Sequence, residues 1–271
     1  MRSRAWLQAL ALCAAFSPVL VELAAHMQDE AWARYVLVFI PLVAIVLARE
    51  STAAPRRDGL LLLVAALGIE LFCLAGSTTR MARPAFPLAI LGLCRAFGLA
   101  RGRTAVLAFW LVPLPWMVLK LTSPDLERTW LQLAAGLLSG MGAELEVQRS
   151  SLRGAAGVLG VQASDSGLRL AVLLSGLGWY ASLRRNDSLA ACVRRALIWG
   201  ALGLPAQALG TLLAVAVLAM GHSAAARALL DPGLWLVLAL LGVARSEQLA
   251  RQRPQRHPDG VDGTGGSRTP A

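Results

Sequence analysis

The chain has 271 residues, of which 56% are hydrophobic and only 15% are charged. This apolar surplus is more than a water-soluble fold can bury, which excludes an ordinary globular protein and favours a place in the lipid bilayer. The formal net charge is +10, but the basic residues lie singly or in pairs between apolar runs, as they do beside membrane spans, and this argues against nucleic acid as a partner.

Eight apolar runs are long enough, or nearly long enough, to cross a membrane core of about 30 Å at about 1.5 Å per residue. In chain order they cover residues 5–25, 35–48, 59–76, 85–100, 104–121, 166–183, 196–221 and 229–244. Pro18 and Glu22 interrupt the first run and no clear cleavage site follows, so this run is expected to be retained rather than removed as a signal peptide. The predicted fold is an all-α integral membrane protein with about eight transmembrane helices, in one polytopic domain covering residues 1–250.

A moderately polar loop, residues 122–165, separates the fifth and sixth runs. Between Asp125 and Gly142 the apolar residues recur at helical intervals, which predicts an amphipathic helix at the outer membrane interface, starting near Pro124. Residues 144–162 then largely alternate between apolar and polar, which predicts a short hairpin that turns near residues 150–156.

The distribution of arginines predicts the orientation, because Lys and Arg of short loops are retained on the cytoplasmic side. With the N-terminus inside, the cytoplasmic segments carry about twice as many basic residues as the outer segments. A multi-pass protein of the bacterial cytoplasmic (inner) membrane is therefore expected, with both termini cytoplasmic and the long loop outside. Residues 251–271 have almost no apolar side chains and are predicted to be a disordered cytoplasmic tail.

A polar motif, Ser-Asp-Ser-Gly-Leu-Arg at residues 164–169, begins the sixth run. Asp165 and Arg169 are four residues apart and share one face of a helix, and Asp165 suits a helix N-cap. One interpretation is therefore structural, a cap with an ion pair. The other is functional, because charges are costly to hold at membrane depth and mark functional sites there.

The order of these features resembles the exosortase and archaeosortase family. Val112-Pro113-Leu114-Pro115, an amphipathic helix and a hairpin precede the motif, and the resemblance covers residues 104–244. It implies a membrane-embedded cysteine transpeptidase that cuts C-terminal sorting tails from exported proteins on the outer side. Ser166, Gly167, Leu168 and Arg169 match the family motif, whereas Asp165 stands at the position of the family's cysteine.

The other two catalytic positions of the family also differ here. In residues 204–212 the proline of the family pattern is present, but a leucine stands where the family has an oxyanion-stabilising arginine. No histidine occurs near Leu230, where the family has its general base. His222 is the nearest histidine, and it is either a substitute base or an ordinary interfacial residue. The candidate catalytic residues are therefore Asp165, Arg169 and His222.

Four further residues are expected to bind at this site. Ser166 and Gly167 belong to the motif, and Glu70 either pairs with Arg169 across helices or extends to the headgroups. Gln207 lies in the seventh run, where a hydrogen bond to a neighbouring helix is the commoner role. No metal site or cofactor is predicted, because the four cysteines are far apart and no cofactor motif occurs.

The predicted function is that of an exosortase-like membrane protein with altered or lost catalysis, whose partners are the bilayer and the sorting tails of exported proteins. Either it binds tails without cutting them, or Asp165 serves as acid or base in a different hydrolysis. A transporter or assembly subunit for envelope polysaccharide is the alternative, with Glu22, Glu70, Asp165 and Arg169 along a polar path.

Overall fold

The computed structural model describes residues 2–29, 36–49, 54–112, 116–148, 151–154, 157–160, 167–230, 241–242 and 244–245. This part of the chain is mostly helical. Its α-helices are α1 Arg2–Ala15, α2 Ser17–Asp29, α3 Val36–Arg49, α4 Arg57–Ala75, α5 Ala85–Phe97, α6 Gly102–Ala105, α7 Trp116–Ser139, α8 Leu168–Arg184, α9 Leu189–Ala219 and α10 Ser223–Leu230. Two 3-10 helices, Thr79–Ala82 and Val106–Leu111, precede α5 and follow α6. The predicted tail, residues 251–271, lies outside the described residues.

Two of the described helices are long and apolar enough to cross a membrane. They are α4, with 19 residues, and α9, with 31 residues. Together they indicate an association with the membrane. The prediction of about eight transmembrane helices is therefore wrong for this fold.

The other apolar runs fall short because the helices within them end early. The first run breaks at Phe16 into α1 and α2, and α3 and α5 have only 14 and 13 residues. Helix α5 stops at Gly98, whose positive φ of 65° ends the helical backbone. A helix of 13 or 14 residues is about 20 Å long, well short of a core of about 30 Å. The fifth run, residues 104–121, is divided among the four-residue α6, a 3-10 helix and the start of α7, and α8 in the sixth run has 17 residues. Most of the eighth run lies outside the described residues.

The loop between the fifth and sixth runs contains a helix and a small three-stranded sheet, where an amphipathic helix and a two-stranded hairpin were predicted. Strands β1 Glu146–Gln148, β2 Ser151–Gly154 and β3 Gly157–Gly160 form a three-stranded antiparallel sheet in that order. The predicted turn contains strand β2, which lies between β1 and β3, so the two expected strands each pair with β2 and not with each other. Helix α7 covers the predicted amphipathic stretch but begins earlier, at Trp116, because apolar residues continue the helical sequence on its N-terminal side.

The buried residues form two large hydrophobic clusters. The bundle cluster, which includes Phe16, Phe39 and Leu177, joins α1–α5, the second 3-10 helix, α8 and the start of α9. The sheet cluster joins α7, β2, β3, α10 and the C-terminal part of α9, with Leu152 paired to Leu159 across the strands. Helix α9 therefore belongs to both clusters.

Glycines allow two helix pairs to pack with their backbones in contact. A Cβ on Gly59 of α4 would overlap the backbone nitrogen of Ala96 at the end of α5. In the same way, a Cβ on Gly203 of α9 would lie 2.5 Å from Cα of Ala171 in α8. Such close approach maximises van der Waals contact between helices, which is the main attraction available to helices within lipid.

Candidate functional site

The motif that opens the sixth run is described only from Gly167 onward. Asp165 and Ser166, the predicted catalytic and binding residues before it, lie outside the described residues. The described part of the candidate site consists of Gly167, the start of α8 and the part of α9 that packs against it.

Gly167 precedes α8 and adopts a left-handed conformation with φ of 86°. Side chains with a Cβ rarely adopt this conformation, and the position is crowded as well, because a Cβ on Gly167 would lie 3.0 Å from Cβ of Gln207. The carbonyl oxygen of Gly167 accepts a hydrogen bond of 2.8 Å from the backbone nitrogen of Ala171. Gly167 thus begins α8 and seats it against α9.

Three polar side chains are buried where α8 begins against α9. Arg169 is 7% exposed, Gln207 is 5% exposed and Thr211 is 1% exposed. The hydroxyl of Thr211 donates to the backbone oxygen of Gln207 at 3.0 Å, whereas Nε2 of Gln207 has no hydrogen-bond partner. We call Gly167, Arg169, Gln207 and Thr211 the α8–α9 polar corner. An amide donor buried without a partner costs about 1–3 kcal/mol, so this corner favours binding of an acceptor group.

Two other predicted site residues, Glu70 and His222, lie outside α8 and outside the part of α9 that packs against it. Glu70 lies in α4 and is 2% exposed, and its Oε1 has no hydrogen-bond partner, so this atom does not form the predicted ion pair with Arg169. His222 is exposed in the turn after α9, where its backbone oxygen accepts from Ala226 at the start of α10. It is 15 residues beyond Gln207, or about 20 Å along the helix axis.

An ion pair that the sequence did not predict joins α2 to the loop before α5. Nε and Nη2 of Arg83 donate to the two carboxylate oxygens of Glu22 at 2.6 and 2.5 Å. The Arg83 side chain is 8% exposed and that of Glu22 is 21% exposed. The partners are 61 residues apart, so local spacing carries no signal for this pair. Both carboxylate oxygens of Glu22, which the transporter alternative places along a polar path, therefore bind Arg83.

The opposite end of the bundle, where α8 turns into α9, is rich in arginine. Nη1 of Arg103 donates to the backbone oxygen of Asp187 at 2.5 Å, and the Trp179 indole donates to the backbone oxygen of Arg103 at 2.9 Å. Arg195 donates to the carboxylate of Asp187 at 2.6 Å and to the Ser182 hydroxyl at 3.1 Å. We call this group, with Arg184 and Asn186, the arginine end.

Comparison of the chain with protein-family models, with curated proteins and with solved structures gave no match. The resemblance to exosortases rests on the residues of the motif and on the order of the segments around it. What that resemblance implies for catalysis remains a prediction.

Replacing Glu70 by leucine is expected to stabilise the protein by about 1–3 kcal/mol, because it removes a buried oxygen that has no partner. Thermal unfolding of the purified protein in detergent would measure the change. Glu146→Leu, at an exposed position in β1, is the control and is expected to shift stability by less than about 0.5 kcal/mol. A lower unfolding temperature for Glu70→Leu would show instead that the carboxyl group is needed in the fold.

Proposed function

We propose that this chain is a membrane-associated, exosortase-like protein that binds the C-terminal sorting tail of an exported protein without cutting it. The observation that carries the proposal is the buried Nε2 of Gln207, a donor without a partner next to the left-handed Gly167. A peptide carbonyl is the acceptor that such an amide would take. Arg169, two residues after Gly167, is also buried at the start of α8.

The residue types favour binding over cleavage. The family reaction needs a thiolate that forms a thioester, whereas a carboxylate at position 165 would at best give an unstable mixed anhydride. A general base must lie within hydrogen-bond reach of the proton that it removes. His222 is about 20 Å along α9 from Gln207, so it is too far away to act as a base at the polar corner.

The proposed location is the bacterial cytoplasmic (inner) membrane, with α4 and α9 as spans and the arginine end on its cytoplasmic side. The arginine-rich segments support this orientation because they meet at one end, where the backbone nitrogen of Arg56 donates to the oxygen of Arg95 and Arg103 donates to Asp187. Helices α4 and α9 both begin at this end, which the positive-inside rule assigns to the cytoplasm. Gln207 is about 27 Å along α9 from its first residue, toward the outer side of a core of about 30 Å.

The test combines capture and processing of one reporter. The full chain is co-expressed with an exported reporter that ends in a short polar motif, one apolar helix and a basic cluster. We expect the reporter to keep its full length and to co-purify with the wild-type protein. Gln207→Leu should reduce this capture about tenfold, because it removes the unpaired donor. Gln148→Leu, on the exposed face of β1, is the control and should leave capture unchanged.

Variants at position 165 separate binding from hydrolysis. Asp165→Ala should leave capture intact and produce no shortened reporter. A reporter that the wild type shortens and that Asp165→Ala leaves whole would overturn the non-cleaving proposal. Equal capture by the wild type and Gln207→Leu would overturn the role of the polar corner. Asp165→Cys restores the residue of the family motif and reports whether the remaining scaffold supports cleavage by a thiolate.

A further inference from the structure

A cavity of about 210 Å³ lies where α3, α6 and the turn between α8 and α9 meet. Its apolar side includes Ile45 and Val46, and its polar side includes Arg103, Thr104, Arg184 and Asn186. It lies at the arginine end, far from the α8–α9 polar corner, so it is a separate site. It is smaller than the roughly 300–1,000 Å³ of pockets that enclose a whole small molecule. The cavity therefore suits a compact polar group whose remaining atoms lie outside.

Arg103 contributes a positive charge that no carboxylate in the described part of the chain contacts. Its guanidinium donates to two neutral acceptors, the backbone oxygen of Asp187 at 2.5 Å and Oδ1 of Asn186 at 3.4 Å. The nearby carboxylate of Asp187 pairs with Arg195 instead. Nε of Arg103 is buried and has no hydrogen-bond partner. A donor of this kind is satisfied by an anion, and the planar guanidinium matches the oxygens of a phosphate group.

We propose that this cavity binds a phosphate group, supplied by the headgroup of an anionic phospholipid. The polar side of the cavity would hold the phosphate between Arg103 and the Thr104 hydroxyl, while Ile45 and Val46 continue as an apolar surface toward the acyl chains. Two observations favour a lipid over free phosphate. The cavity is partly apolar, and it lies in a chain whose α4 and α9 are long enough to cross a membrane. Basic groups near a membrane surface also attract anionic lipids.

Native mass spectrometry of the full chain in detergent, titrated with phosphatidylglycerol, would test the proposal. We expect one saturable lipid per chain in the wild type. Arg103→Gln should weaken binding about tenfold or more, because it removes a charge-assisted donor. Val46→Phe keeps every charge and fills the cavity, and it should weaken binding to a similar extent. Arg227→Gln, at an exposed position in α10, removes an arginine elsewhere and should bind as the wild type does.

The outcomes separate the possible ligands. Phosphatidylglycerol binding that is equal in the wild type, Arg103→Gln and Val46→Phe would overturn the site. A second titration with inorganic phosphate, followed by thermal unfolding, tests the free anion. Stabilisation by inorganic phosphate with no added effect of the lipid would overturn the assignment to a phospholipid. Because Val46→Phe leaves the Arg103 hydrogen bonds in place, its result remains informative if Arg103→Gln fails to fold.

Discussion

Replacing Arg83 by methionine is expected to destabilise the protein by about 1.5–3 kcal/mol, because it removes two charge-assisted hydrogen bonds to the largely buried Glu22 carboxylate. The pair has a two-bond geometry, with Nε and Nη2 of Arg83 at 2.6 and 2.5 Å from the carboxylate oxygens. It also joins α2 to the loop before α5, so its loss affects the packing of the N-terminal helices. The unfolding midpoint of the purified protein in detergent would measure the effect.

Two further variants make this prediction specific. Arg95→Met breaks the ion pair between Arg95 and Asp58, in which the two side chains are 28% and 50% exposed. This change should lower the free energy of unfolding by no more than about 1 kcal/mol. The double variant Glu22→Leu with Arg83→Met removes both charges and should recover much of the loss. Equal destabilisation by Arg83→Met and Arg95→Met would show that burial does not set the strength of the Glu22–Arg83 pair.

Alanine in place of Gly59 is expected to destabilise the protein by about 2–3 kcal/mol. A Cβ at this position would overlap backbone atoms of Arg95 and Ala96, which cannot rotate away as a flexible side chain could. Helices α4 and α5 would have to separate, and Gly92, whose own Cβ would lie 2.7 Å from the backbone nitrogen of Leu63, would lose the same close contact. Thermal unfolding in detergent would measure the effect.

Gly68 provides the matched control within the same helix. A Cβ on Gly68 would meet nothing within 4 Å, so Gly68→Ala should be neutral or stabilise α4 by about 0.5–1 kcal/mol through helix propensity. Glycine-to-alanine substitution is thus expected to lower stability at position 59 and to leave it unchanged or raise it at position 68 of the same helix. Similar destabilisation by Gly59→Ala and Gly68→Ala would contradict the close packing of α4 on α5.

The sequence predicted elements whose signals are local. The sixth apolar run begins at residue 166, and α8 begins at Leu168, two residues later. The alternation after Glu144 predicted strands, although three formed instead of two. The lengths of several helices were not predictable in this way. Residues 5–25 form one apolar run, interrupted only by Pro18 and Glu22, yet the chain there forms two helices that meet at Phe16, which is fully buried. Mean hydropathy cannot distinguish a helix that crosses lipid from two short helices that cover a core.

The site was predicted only in part, for a similar reason. The motif indicated Gly167 and Arg169, and the apolar run indicated a hydrogen-bonding role for Gln207, but only the packing of α8 on α9 brings Gly167 and Gln207 together. Arg103 and Asp187 are 84 residues apart, and no periodic pattern in the sequence links them. Contacts between distant residues depend on how helices meet, and that geometry is set by glycines such as Gly203 rather than by the charged residues themselves.

Helix α9 is shared by the two hydrophobic clusters, and this has a mechanical consequence. With 31 residues it is about 46 Å long. The helix bundle packs against its N-terminal half, and the sheet packs against its C-terminal half. Pro205 lies within α9 and has no N–H to donate to the carbonyl of Ala201. The helix therefore lacks one backbone hydrogen bond between Ala201 and Pro205, and it bends most easily there. If the sheet moves relative to the bundle, α9 would bend at Pro205, about half a helical turn before Gln207. Such a bend would widen or narrow the α8–α9 polar corner.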